Sequence, residues 1–166
     1  LIHSLAFSPD GSRIVSGSSD ACLKIWNANT GVCIKNIEGI IDNSGGNWLK
    51  NFEGHLSPVV SVAYSPNGSH IVSGSSDGII KIWNANTGQY LKTLCGHSRL
   101  IHSLAFSPDG SRIVSGSSDN TINIWNANTG GCIKTLKGDN DRFYSVAFSP
   151  DGSRIVSGSK NEIIKI

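Results

Sequence analysis

Histidine, serine and aspartate recur along this 166-residue chain in sets that invite comparison with a nucleophilic triad: His55, Ser73 and Asp77; His97, Ser115 and Asp119; and a partial third, Ser16 and Asp20. A triad serine must stand exposed beside its base, with donors ready for an oxyanion. Two full copies and part of a third, each followed by a tryptophan (Trp83, Trp125, Trp26), fit scaffolding better than one reaction centre. No catalytic residue is expected. Other chemistry fails in the same way. The "GSSDG" stretch of residues 74–78 lacks the lysine of a phosphate loop and leads into no helix, so it reads as a turn. Asn67-Gly68-Ser69 matches a glycosylation sequon but reads as a turn as well. His3 and His102 occupy one repeat position with no carboxylate or cysteine at ligand spacing, so neither metal nor cofactor is expected.

Composition narrows the remaining classes. Apolar residues make up 38% and charged residues 16% of the chain, and the formal charge is +2 with the signs interspersed. That balance makes no electrostatic case for nucleic acid or acidic lipid. The longest uncharged runs are rich in Ser and Gly, far from the roughly 20 apolar residues of a membrane helix. Cys22, Cys33, Cys95 and Cys132 form no CxxC pair and share no repeat position, which suits buried or half-buried thiols in a reducing, cytoplasmic setting. Methionine is absent even at position 1, so the chain is expected to be a piece of something longer.

The elements that position these residues come from internal repetition. "SPDGSRIVSGSSD" fills residues 8–20 and again 107–119, and "SPNGSHIVSGSSD" fills 65–77. Ser65 to Ser107, Ser107 to Ser149 and Trp83 to Trp125 are each 42 residues apart. Within a unit four short strands are predicted: Val59 to Ser65, His70 to Ser76, Ile79 to Asn84 and Gln89 to Leu94. The separators "SPDG", "SPNG" and "NANTG" are turn chemistry. Strand and tight turn in alternation predict an antiparallel meander, all-β, with no competing helix. The recurring lysines of the fourth strand, Lys35, Lys50, Lys92 and Lys134, read as solvated edge charges.

A four-stranded unit of this length matches the blade of a β-propeller. Gly54-His55 and Gly96-His97, the following "SPNG" and "SPDG", Asp77 and Asp119, and Trp83 and Trp125 together resemble the tryptophan-aspartate (WD) repeat family over nearly the whole chain. The resemblance implies a buried polar relay in each blade, running His55, Ser73, Asp77, Trp83 and then His97, Ser115, Asp119, Trp125, with Ser16, Asp20 and Trp26 as a partial copy. It also implies a non-catalytic scaffold for protein or peptide partners. The near-identity of the units resembles the repeat arrays of large signalling ATPases in fungi and bacteria, and so implies a recognition role within a larger chain.

Departures from the pattern define the blades. Every expected Trp-Asp is Trp-Asn, and the last unit has Asp139 for the histidine, Asn161 for the aspartate, and Ile166 where it stops short of the tryptophan. Trp26 to Trp83 is 57 residues, 15 beyond one repeat, and two fourth-strand sequences follow one another. The simplest account is 27 residues missing between Gly39 and Ile40. Blade 1 is then about 1–39, a relic with exposed Trp48 and Phe52 about 40–54, blade 2 about 55–96, blade 3 about 97–138 and an incomplete blade 4 139–166. About four blades make an open ring with apolar end faces, and a homodimer closing an eight-bladed ring is the expectation that follows.

Function should lie where near-identical units differ. The residue before the recurring first-strand serine reads His3, Val60, His102 and Tyr144, and two residues earlier stand Pro58, Leu100 and Arg142. In WD-like propellers these positions face the narrower top, around the central channel, where partners dock. Aromatic and arginine side chains there have hot-spot chemistry. The alternatives are a nucleic-acid or phosphoinositide-binding propeller, which would need clustered basic residues, and a non-functional relic of a longer array.

Overall fold

The computed structural model describes residues 1–39, 53–138 and 142–160, together with the backbone of 164–165. Most of the proposed relic, including Lys50, Trp48 and Phe52, and also Asp139, Asn161 and Ile166, lie outside the described residues. Among the described residues fifteen strands form four antiparallel sheets, each in sequence order. The first holds β1 (Ile2–Phe7), β2 (Arg13–Ser18), β3 (Leu23–Asn27) and β4 (Cys33–Ile37). The second holds β5 (Val59–Tyr64), β6 (His70–Ser75), β7 (Ile80–Asn84) and β8 (Tyr90–Leu94). The third holds β9 (Ile101–Phe106), β10 (Arg112–Ser117), β11 (Thr121–Asn126) and β12 (Cys132–Lys137). β13 (Phe143–Phe148), β14 (Ile155–Ser159) and β15 (Ile164–Lys165) make the three-stranded fourth. The chain is therefore all-β, with four open sheets that stack as consecutive blades of an incomplete propeller.

The turns form for the reasons legible in their residues. In residues 8–13 the Ser8 carbonyl accepts from Gly11 N–H at 2.9 Å, Asp10 accepts from Ser8 Oγ at 2.6 Å, and Gly11 takes φ +71°. The same turn recurs at Asp109 and Asp151. The serine hydroxyls ahead of each aspartate, aided by the serine that follows it, draw the carboxyls of Asp10, Asp109 and Asp151 down to about 2. Asn67 keeps the geometry without a charge, accepting from Ser65 Oγ at 2.8 Å.

No sheet buries its apolar face alone; three clusters fill the spaces between neighbouring blades. Val15, Leu23 and Ile25 of blade 1 meet Val59, Val62, Tyr64, Ile71 and Trp83 of blade 2. Val72, Ile80 and Ile82 meet Ile101, Leu104, Ile113 and Trp125 in the next space. The outer strands β4 and β12 are mostly exposed, with Lys35 and Lys134 in solvent, while Lys92 of β8 is half-buried and donates to the Asn128 carbonyl. The expectation of sheltered thiols is corrected here: Cys33 and Cys132 lie on those outer strands, Cys95 follows β8, and all three are exposed. Cys22 alone is half-buried, and all four are free.

One buried group breaks the pattern. Tyr64 stands where the other units place Phe7, Phe106 and Phe148, and its buried hydroxyl has no hydrogen-bond partner among the described residues. An unpaired buried hydroxyl costs stability that its removal restores. Tyr64→Phe should raise the unfolding free energy by about 1 kcal/mol, read as a higher urea midpoint with an unchanged slope; a lower midpoint would show that the hydroxyl has a partner.

Candidate functional site

Three of the four relay members meet in blade 2. Trp83 Nε1–H donates to Ser73 Oγ at 2.8 Å, and Ser73 Oγ lies 2.6 Å from His55 Nε2. All three side chains are buried. Blade 3 repeats these contacts at 2.8 and 2.7 Å through Trp125, Ser115 and His97. There Asp119 completes the chain, its Oδ2 2.9 Å from His97 Nδ1. Burial lowers the His97 pKa against the pull of Asp119, so the ring is neutral at neutral pH. The carboxylate accepts the Nδ1 proton, Nε2 accepts from Ser115, and Ser115 accepts from Trp125. Burial opposes ionisation of Asp119, but hydrogen bonds from Thr121, Ser98 and His97 hold its pKa below the ordinary value.

Blade 2 lacks that last link. Asp77 accepts from Ser75 Oγ and from Ile79 N–H instead, and His55 Nδ1 is left buried without a partner among the described residues. In blade 3 the matching serine, Ser117, donates to the Arg99 carbonyl at 3.0 Å. Thr121, whose counterpart is Ile79, donates to Asp119 Oδ1 at 2.6 Å. Two residues on, Asn123 faces His97 at 3.5 Å, whereas blade 2 has the cation Lys81. Desolvation first, then the nearby Lys81 charge, push the His55 pKa down to about 4. Blade 1 keeps only Trp26 Nε1–H to Ser16 Oγ at 2.9 Å, and Asp20 is bound by Ser18. Thr121, Ser75 and Ser117, absent from the expected relay, decide whether it closes.

A serine held between a buried tryptophan and a buried histidine has no approach for a substrate. The arrangement pins strands two and three of a blade to the loop that enters it, and the surface must be sought elsewhere. Strand register supplies it. In every blade the inner strand carries a β-bulge: Ile2 pairs with Ser18 and Ser4 with Gly17, Val59 with Ser75 and Ser61 with Gly74. Ile101 pairs with Ser117 and Ser103 with Gly116, Phe143 with Ser159 and Ser145 with Gly158. The residues left over are His3, Val60, His102 and Tyr144, the four variable positions. Bulges re-aim a side chain out of the ladder.

The structure brings two of these together. The rings of His102 and Tyr144 stand 4.3 Å apart at 53°, with Tyr144 and Arg142 exposed. His102 Nε2 lies 2.7 Å from Ser118 Oγ; His3 Nε2 lies 2.9 Å from Ser19 Oγ in blade 1. Burial and then the Arg142 charge lower the His102 pKa. Pro58, Leu100 and Arg142 have a backbone task too: their carbonyls accept from Ser76, Ser118 and Lys160, closing the entry of each inner strand onto the turn between strands two and three. Pro58, Val60 and Leu100 are half-buried, and His3 is exposed. Among the described residues no group of three His, Cys, Asp or Glu side chains could hold a metal ion.

The family model described as "WD domain, G-beta repeat" matches residues 2–27, 46–84, 88–126 and 130–166. The chain is similar to the WD repeat, SAM and U-box domain-containing protein 1 of Danio rerio, 36% identical over 83 residues, 50% of this chain and 14% of that protein. It is similar to Striatin-3 of Bos taurus, 34% identical over 83 residues, 50% of this chain and 10% of that protein. A third relative is the Polycomb protein esc of Drosophila virilis, 33% identical over 87 residues, 52% of this chain and 18% of that protein. The matched stretches span less than a fifth of each of these relatives.

Two outcomes follow from the relay. Ser73→Ala strands two buried polar groups and should cost about 3 kcal/mol, against about 1 kcal/mol for Ser16→Ala beside the half-buried Trp26; equal losses in urea titrations would contradict the assignment. For pH, the unfolded chain protonates His55 near 6.5 while the folded site resists to about 4. The stability is complete above pH 6.5 and falls as pH drops toward 4, by about 3 kcal/mol in total. His55→Gln should flatten that slope, and an unchanged slope would locate the titration elsewhere.

Proposed function

As the chain belongs to the WD-repeat family, we propose that it is a non-catalytic recognition module that presents protein or peptide partners with a surface built from the bulged residues of its inner strands. The observation that carries this reading is the coincidence of variation with geometry: the positions that differ between near-identical units are those the bulges turn out of the ladder. His102, Tyr144 and Arg142 form its centre, an aromatic pair with a guanidinium beside it, the residue types that concentrate binding energy. The stacked blades supply a rigid support, the usual arrangement for recognition at loops and rims. Relatives carry their matched repeats within much longer chains, one of them named for SAM and U-box domains besides, which supports a module working inside a larger protein. The polyanion alternative has less behind it, since the variable positions His3, Pro58, Val60, Leu100, His102, Arg142 and Tyr144 include one fixed cation, Arg142.

Peptides selected from a displayed library against the whole chain test this reading. Tyr144→Ala and Arg142→Ala should each weaken the selected peptides at least tenfold, about 1.4 kcal/mol, with Val60→Ala nearly silent. Unchanged affinity in both would remove the site. Binding that is lost between about 50 and 200 mM salt would favour a polyanion ligand instead.

A further inference from the structure

Blades 2 and 3 are near copies, and where their relays part a cavity opens. In blade 3 three side chains surround His97 Nδ1: Asp119 Oδ2 at 2.9 Å, Thr121 Oγ1 at 3.1 Å and the Asn123 amide at 3.5 Å. Their counterparts one repeat earlier are Asp77, Ile79 and Lys81. Those three, with His55, Leu56 and Thr93, line a cavity of about 210 Å³ in blade 2. Leu56 and Asp77 are exposed, so the cavity reaches solvent.

Three donors meet there. Trp83 donates to Ser73 and Ser73 to His55 Nε2, which leaves the proton of the neutral His55 ring on Nδ1. That buried N–H has no acceptor among the described residues. The Leu56 N–H has none there either, although its counterpart, the Ser98 N–H, donates to Asp119 Oδ2 at 3.0 Å. Lys81 is half-buried, donates to the Glu53 carbonyl at 2.9 Å, and has no carboxylate within 4 Å of its Nζ among the described residues. An acceptor that is also an anion would satisfy all three, and hydrogen bonds to a charged group are the strong ones. Asp77 opposes a second negative charge, but its carboxylate is held in its own turn by Ser75 and the Ile79 N–H, and solvent screens it.

We propose that this cavity binds the carboxylate of a small aliphatic acid, held as Asp119 is held in blade 3. The acid accepts from His55 Nδ1 and the Leu56 N–H, and Lys81 supplies the counter-charge. The Leu56 and Ile79 side chains and the Thr93 methyl form apolar wall for a short alkyl chain, the usual division of labour in a ligand cavity. Free short-chain acids and the glutamate side chain of a peptide carry the same group. This inference goes beyond the recognition reading and does not depend on the bulged residues.

The ring resonances of His55 and His97 in the whole chain, followed at neutral pH as sodium propionate is added, test it. His55 should shift saturably in the millimolar range, while His97, whose Nδ1 already has a carboxylate, should not move. Lys81→Gln should weaken binding about tenfold and Asp77→Asn should tighten it, with unchanged His97 resonances showing that each variant is folded. A blocked tripeptide with glutamate at its centre separates the sources: tighter binding than propionate assigns the cavity to peptides, and weaker binding assigns it to free acids. No saturable shift with either probe, equal shifts from sodium chloride, undiminished binding by Lys81→Gln, or weaker binding by Asp77→Asn would each overturn the proposal.

Discussion

Everything in this molecule depends on how closely one small sheet can approach the next. A sheet of four strands, each five or six residues long, cannot cover its own apolar faces, so every blade relies on its neighbour for burial. Gly17, Gly74 and Gly116 set the distance. With no Cβ on the second strand, an aliphatic pair from the following blade settles onto the backbone, and the clusters around Ile25, Ile82 and Val114 close over it. Because the close contact is directional, pair onto glycine, the stack has a polarity from blade 1 to blade 4.

The polar relay works within a blade, where the stack works between blades. Stacking fixes blades to one another; the relay fixes the loop that enters a blade to that blade's second and third strands. Its two copies differ through residues outside the shared motif. Residues 75–77 and 117–119 are both Ser-Ser-Asp, yet one aspartate is captured by its own turn and the other reaches a histidine. Thr121 and Asn123 surround Asp119 and His97 with polar partners, where Ile79 and Lys81 give blade 2 an apolar side chain and a competing cation. A neutral, partly unsatisfied His55 is the result.

Much of this was legible in the residues, and the reason is repetition. Strand limits at Val59, His70 and Asn84 emerge as the period requires, and the positive φ of Gly11, Gly68, Gly88 and Gly130 follows from turn chemistry. Trp83, Ser73 and His55 meet as the family pattern implies. What was not legible depends on relations between strands. A bulge is a mismatch of register between two segments, and nothing within "IHSLAF" marks His102 as the extra residue. The fate of Asp77 turns on a competition between Ser75 and His55 that a spacing pattern cannot decide. Cysteine exposure was not legible because the outer strand faces solvent while its sequence is as apolar as an inner one, as Ile34 and Ile133 show.

The bulge also explains why variation gathers where it does. Along an inner strand, Val59 and Val62 are committed to the glycine of the preceding blade, and Ser61 accepts an N–H from the following one. Tyr64 lies in the cluster shared with blade 1. Val60, set outside the ladder by the bulge, belongs to neither of the apolar clusters on the two sides of its blade. Its counterparts are therefore free to become His3, His102 or Tyr144 at no expense to the stack. A scaffold that holds its framework rigid and releases one residue per blade can change what it presents without changing how it folds.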